Sequence, residues 1–155
     1  MYMNIRQFFR GRISASSYTL VLSAWVVVCA LLIQFACQMV WEEQWQFSRT
    51  QKLVGWLNTS IIICYGFLTP GRLRDLNMPR WMSKFTPFLL IAVIMLPLLM
   101  LYSGEKWDNE FGESPPPSPW WKKILVFVLL VCAIQWMYEA MMMYLQLSYA
   151  WRPID

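Results

Sequence analysis

The chain contains no histidine. That removes the commonest metal ligand and the side chain most often used to shuttle protons near neutral pH. Cysteine is sparse. Cys29, Cys37, Cys64 and Cys132 all fall within apolar runs, and none forms a C-x-x-C pair. They read as packing residues rather than as ligands or a redox couple. There is no glycine-rich phosphate loop and no nucleophile set beside a base, so no catalytic residue, metal or cofactor is expected. Charge is scarce as well. Only 14% of residues are charged and 58% are hydrophobic, against about 25% and about 45–50% in soluble domains. Too few polar groups remain to cover a water-facing surface.

What is abundant is long apolar sequence. A helix needs roughly 20 residues, at about 1.5 Å each, to cross a bilayer, and several runs reach that length. Ten tryptophans and seven tyrosines fit the same picture, since both rings favour the headgroup level. The expectation is one all-α integral membrane domain, a four-helix bundle with short loops. Its spans are expected at about 18–40, 53–69, 85–102 and 122–149.

Residues 1–17 form a basic head. Arg6, Arg10 and Arg12 stand among Phe8 and Phe9 without a single acid. Such a mixture suits an interfacial segment, with rings in the acyl boundary and cations at the headgroups. Ser14, Ser16 and Ser17 offer N-cap oxygens to the first helix. That first run exceeds the about 7–15 residues of a signal-peptide core. Gln34-Phe35-Ala36-Cys37 lacks the leucine of a lipoprotein cleavage site. Retention as a transmembrane helix is the expectation.

The second span carries Asn58, Thr59 and Ser60, and Gly66, Pro70 and Gly71 are expected to end it. A charged hairpin at 71–84 follows, with Arg72, Arg74, Arg80 and Lys84 against the single acid Asp75. Three readings are open for it: a topology signal, a surface for anionic lipid headgroups, or a dock for a cytoplasmic partner. Asp75 is the odd member, and Arg12 or Arg74 is its natural local partner. The third span holds Pro97, where a kink is expected. Residues 103–121 are acidic and end in Ser114-Pro115-Pro116-Pro117-Ser118-Pro119, a stiff polyproline-like connector that could also serve a proline-motif receptor.

Four spans put the head, the hairpin and the C-terminus on one side. That side then holds eight cations and two acids, and the other holds five cations and six acids. The positive-inside rule places the first side in the cytoplasm.

Two sets of polar residues lie inside spans. Gln34 and Gln38 share one helix face, at a depth that suggests hydrogen bonds to Asn58 through Ser60. On the fourth span Gln135, Glu139, Met142 and Gln146 make a stripe. Glu139 is the only ionisable group deep in any span. It is either a proton or ion site, or a structural acid bonded to a tyrosine, a serine or a basic-loop arginine.

Phe9-Arg10-Gly11-Arg12-Ile13-Ser14, followed by Tyr18, resembles the opening motif of a family of small bacterial inner-membrane proteins, domain-of-unknown-function family 805. Arg72-Leu73-Arg74-Asp75 is similar to that family's R-R-L-H-D element, and Met95-Leu96-Pro97 to its L-I-P segment. The resemblance covers about residues 8–102. Ala15, Thr19, Gly71 and Arg74 depart from the pattern, Arg74 standing where the family has histidine. The resemblance implies a bacterial inner membrane and four spans, with the Gly11-Arg12 and Arg72-Leu73-Arg74-Asp75 elements together at the cytoplasmic face. It implies no activity.

Three functions follow as expectations. The leading one is a non-enzymatic module that binds an anionic lipid or a partner protein through its basic cytoplasmic face. The second is a small transporter or channel component, with Glu139, Gln135 and Gln146 lining a polar path in a homo-oligomer. The third is a membrane enzyme acting on lipid-linked substrates, which would need more acids or a histidine on one face. Nucleic acid is not an expected partner. The candidate residues are Gly11, Arg12, Tyr18, Arg72, Arg74, Asp75, Arg80, Gln135, Glu139 and Gln146.

Overall fold

The computed structural model describes residues 12–84, 89–104, 106–107 and 109–151, with side chains throughout except at 80, 83 and 89–93. It is all-helical in its regular elements. The order is α1 (Ala15–Trp41), α2 (Phe47–Asp75), a 3-10 segment (Arg80–Lys84), α3 (Leu89–Leu101) and α4 (Trp120–Ala150). α1, α2 and α4 are each long and apolar enough to cross a membrane. The protein is a helical membrane bundle.

Local sequence starts and stops these helices. Ser14 sits in extended geometry and accepts the backbone N–H of Ser17 at 3.3 Å, the expected N-cap. α1 ends with Glu43 at φ 58°, where Gln44 N donates to Met39 O at 2.9 Å and Glu43 N to Val40 O at 3.0 Å. These two bonds form a Schellman motif, which satisfies carbonyls that would otherwise lack partners.

α2 overturns the expectation that Pro70 and Gly71 end the second span. The helix continues through both to Asp75. Proline removes one N–H, and a membrane helix tolerates that loss when neighbouring groups compensate. Thr69 Oγ1 donates to Tyr65 O at 2.7 Å one turn back. The real stop is Asn77, at φ 54°. Met78 N donates to Leu73 O at 2.9 Å and Asn77 N to Arg74 O at 3.2 Å, a second Schellman motif. Arg72, Leu73, Arg74 and Asp75 therefore lie on a helix rather than in a hairpin.

α1 and α4 run parallel. Lys122 Nζ donates to Ser17 Oγ at 2.9 Å at one end. Gln34 Nε2 donates to the Trp136 carbonyl at 3.1 Å further along. Val40 and Leu147 share a core cluster at the other end. Small residues allow the close approach: Ala30 and Cys37 on α1, Ala133 and Ala140 on α4, all buried, while Cys29 and Ala36 face α2. α2 runs antiparallel on the other flank of α1. Thr50 Oγ1 donates to Ala36 O at 3.3 Å and Trp25 Nε1 to Ser60 Oγ at 3.2 Å.

α3 has 13 residues and is about 20 Å long, short of the about 30 Å hydrocarbon core. The Leu99 carbonyl at its C-terminal end accepts from Arg72. α3 thus finishes at the end of the bundle where α2 finishes and α1 begins. The expected third full span is replaced by a half-length helix. The consequence reaches the rest of the chain. Residues 103–119 lie at the same end as Arg12, not across the bundle from it, and Ala150 lies at the opposite end. Four helices are expected and four are present; among the described residues three of them are long and apolar enough to cross a membrane, and α1 and α4 begin at the same end.

The expected polar link between Gln34 and Asn58 is also absent among the described residues. Gln34 faces α4, and Asn58 is exposed. The bonds from α1 to α2 run through Ser60, Thr50 and Thr69 instead.

Candidate functional site

At the end of the bundle where α1 begins, three charged side chains are buried together. Arg72 and Asp75 are three apart on α2, so both project from the same helix face. Ile13 N donates to Gly71 O at 3.0 Å, which lashes the strand before α1 onto the last turn of α2 and delivers Arg12 to Asp75. Arg12 Nε and Nη2 both lie 3.2 Å from Asp75 Oδ1. Arg72 Nη1 donates to Asp75 Oδ2. Each carboxylate oxygen thus holds one guanidinium. The three side chains are at most 3% exposed.

Among the described residues the joint holds two cations and one anion, and it lies in a low-dielectric place. Backbone carbonyls also accept from the two guanidiniums. Arg72 Nε donates to Leu99 O at 2.8 Å, and Arg72 Nη2 donates to Tyr102 O. These carbonyls close α3, at the negative end of its dipole. Arg12 Nη1 donates to Trp107 O at 2.8 Å and to Gly112 O at 3.3 Å. The arginine forks therefore tie α1, α2, α3 and the following loop into one joint. Gly104 backs directly onto the Asp75 carboxylate, where a Cβ would collide.

The loop is pinned rather than free. Asn109 Oδ1 accepts Phe111 N at 2.9 Å, an Asx turn, while its Nδ2 donates to Arg74 O at 2.9 Å. Gly112 supplies φ 121° for the tight reversal against Asn109. Ser118 is hydrogen-bonded to Ser16 on α1. Pro119 has φ −61° and ψ 152°, the extended form that the proline run demands.

Between this loop and the helices lies a cleft of about 840 Å³. Ser14, Ser16, Ser118, Lys106 and Lys123 make its polar side, and Asp75 reaches its floor. Met100, Leu101, Val126, Phe127 and Leu130 make an apolar wall. Polar groups stand above apolar ones, the order found where headgroups meet acyl chains.

The sequence-derived residues fall into three groups. Arg12, Arg72 and Asp75 meet in the joint, and the Arg74 carbonyl touches its edge. Tyr18 is fully buried beneath it, packed with Leu22, Tyr65, Leu68, Leu73 and Leu99, its hydroxyl 3.4 Å from Thr69 Oγ1. Gly11 and the Arg80 side chain lie outside the described residues. Gln135, Glu139 and Gln146 are remote from the joint and exposed on α4. Glu139 accepts from Gln135 at 2.8 Å, one turn back on its own helix. The bond expected to a tyrosine, serine or arginine is replaced by this one. A carboxyl facing hydrocarbon costs on the order of 2.5–3.5 kcal/mol on insertion scales, and Gln146 borders a small cleft with Gln38, Trp41 and Glu42 of α1 and its turn.

The sequence points to Arg12 or Arg74 as the partner of Asp75 and not to Arg72, because Pro70 and Gly71 signal a turn there. The three-residue spacing of Arg72 from Asp75 was the available signal. The carbonyl acceptors, Gly104 and Lys106 left none, since each depends on where the loop lands.

Among the described residues no group of acids and cysteines is placed to hold a metal ion. No curated protein and no solved structure matches the chain. A family model matches residues 7–113, a segment that holds Arg12, Arg72, Asp75 and every carbonyl they bind. The chain belongs to that family, described as protein of unknown function (DUF805).

Proposed function

We propose that this protein is a non-enzymatic module of a bacterial inner membrane that holds an anionic lipid by its headgroup at the cytoplasmic face. One observation carries the proposal: a cleft that is cationic and hydroxyl-lined on one side and apolar on the other, seated at the end of three membrane-length helices. A phosphate would sit between Lys106 and Lys123, and Ser14, Ser16 and Ser118 would donate to its oxygens. The acyl chains would follow Val126, Phe127 and Leu130. The buried arginine–aspartate joint serves as a rigid floor, since its own charges are already satisfied.

Orientation follows from the same geometry. Arg12, Arg72, Arg74, Lys84, Lys106, Lys122 and Lys123 belong to this end, while Arg49 and Lys52 belong to the other. Among the residues with described side chains that is seven cations against two. The rule that cations stay inside then puts the cleft in the cytoplasmic leaflet and Ala150 at the external face. A lipid suits the site better than a protein partner because the apolar wall continues the membrane-facing surface of α4.

The test is lipid binding by the full chain in nanodiscs, phosphatidylglycerol against phosphatidylcholine. Wild type should retain phosphatidylglycerol preferentially. Each interfacial cation contributes about 1 kcal/mol, so Lys106→Ala with Lys123→Ala should weaken retention about thirtyfold. Equal retention of both lipids, or no change in the double variant, would refute the proposal.

A further inference from the structure

α4 is the least covered of the three long helices. It packs on α1 through the buried Ala133, Ala140 and Leu147, spaced by seven, with Trp136, Met137 and Tyr144 partly buried beside them, and its opposite face turns outward. That outward surface is not uniformly apolar. Gln135, Glu139, Met142 and Gln146 are all exposed, and their spacing of four, three and four aligns them in one stripe along the helix. At about 1.5 Å per residue, Glu139 lies some 24 Å from Lys123, well inside the apolar stretch.

The stripe is incompletely satisfied. Gln135 uses one amide N–H on Glu139. Its second N–H, its carbonyl oxygen and the other Glu139 oxygen have no partner among the described residues. Nor does the Gln146 amide. At the depth of Gln135 and Glu139, about 18 and 24 Å from Lys123 in an about 30 Å core, lipid tails cannot supply these bonds, and a carboxyl or amide turned toward acyl chains is strongly disfavoured. A partner helix can supply them.

We infer that the partner is a second copy of this chain, joined α4 to α4 through the Gln135–Glu139–Met142–Gln146 stripe. The chemistry is self-complementary. Copies inserted by the same rule share one orientation, so a two-fold axis along the membrane normal brings equal depths together. Gln135 of one copy then reaches Glu139 of the other with its unused N–H, and the reverse holds by symmetry. The Gln146 amides, which carry both donors and acceptors, pair with each other, and the Met142 side chains fill the space between. The cleft lies at the other end of α4, so this assembly stands apart from lipid binding.

The test uses full-length protein, labelled in separate batches with donor and acceptor dyes, in vesicles of phosphatidylethanolamine and phosphatidylglycerol. Energy transfer should persist as lipid dilutes the protein. Glu139→Leu or Gln135→Leu should raise the apparent dissociation constant about tenfold or more. Asn58→Leu, an exposed polar residue on α2, should leave it unchanged. In a background with the four cysteines replaced, Met142→Cys should form a linked dimer on oxidation and Ile134→Cys, on another face, should not. Transfer that vanishes on dilution in wild type, or stripe variants that dimerise as wild type does, would overturn the inference. So would association of the stripe with a different membrane protein alone.

Discussion

Asp75 is the residue on which four segments converge. Its carboxylate bridges Arg12 and Arg72, which also donate to the carbonyls of Leu99, Tyr102, Trp107 and Gly112. A buried pair stripped of one partner leaves an uncompensated charge, at a cost of about 3–5 kcal/mol. Asp75→Asn should lower the stability of the detergent-solubilised protein by that order, read from thermal or denaturant unfolding. Arg72→Leu should cost as much alone, and the two together less than their sum. A loss below about 1 kcal/mol for Asp75→Asn would mean the joint is not structural. The glycines give an internal control. Gly104→Ala drives a methyl into the Asp75 carboxylate and should destabilise. Gly55→Ala and Gly66→Ala, with open space around them, should be neutral or stabilising by up to about 1 kcal/mol. At this scale much was legible. An acid alone in a basic stretch had to find a cation, and Arg12 was nameable. The backbone acceptors were not, because carbonyls leave no mark in a sequence.

Helix boundaries show how two local signals compete. Proline and glycine at 70 and 71 are common breakers, yet α2 passes through them because Arg72 and Leu73 gain burial beyond. The stop is made by Asn77 in left-handed geometry, with Met78 packed back on the core that contains Leu73. Asn77→Val should therefore cost about 1–2 kcal/mol, while Asn77→Gly should stay within about 0.5 kcal/mol of wild type. Unfolding midpoints in the same detergent decide it. If valine is tolerated, the Schellman stop is not what ends the helix. α3 shows the limit of hydropathy. Residues 85–102 are apolar over a stretch close to the span threshold, and apolarity alone cannot separate a crossing helix from a short one that returns to its own side. The deciding feature is the bond from Arg72 to Leu99 and Tyr102, a tertiary fact.

For the molecule as a whole, composition and run length were enough to read an all-helical membrane bundle with aromatic-rich boundaries. Crossing number was not legible, because it hangs on α3. Three long helices place Arg12, the α2 terminus, the described part of the loop 103–119 and the start of α4 at one end, with the α1–α2 turn and Ala150 at the other. Glu110 and Glu113 of the loop then lie at the same end as the basic residues, where they moderate the charge.

The decisive measurement is side-specific labelling of single cysteines in intact cells, in a background with Cys29, Cys37, Cys64 and Cys132 replaced. Ser114→Cys, in the pinned loop, should resist a membrane-impermeant maleimide until the cells are opened. Lys52→Cys, near the α1–α2 turn, should react from outside. Reaction of Ser114→Cys in intact cells, on the same side as Lys52→Cys, would contradict the account.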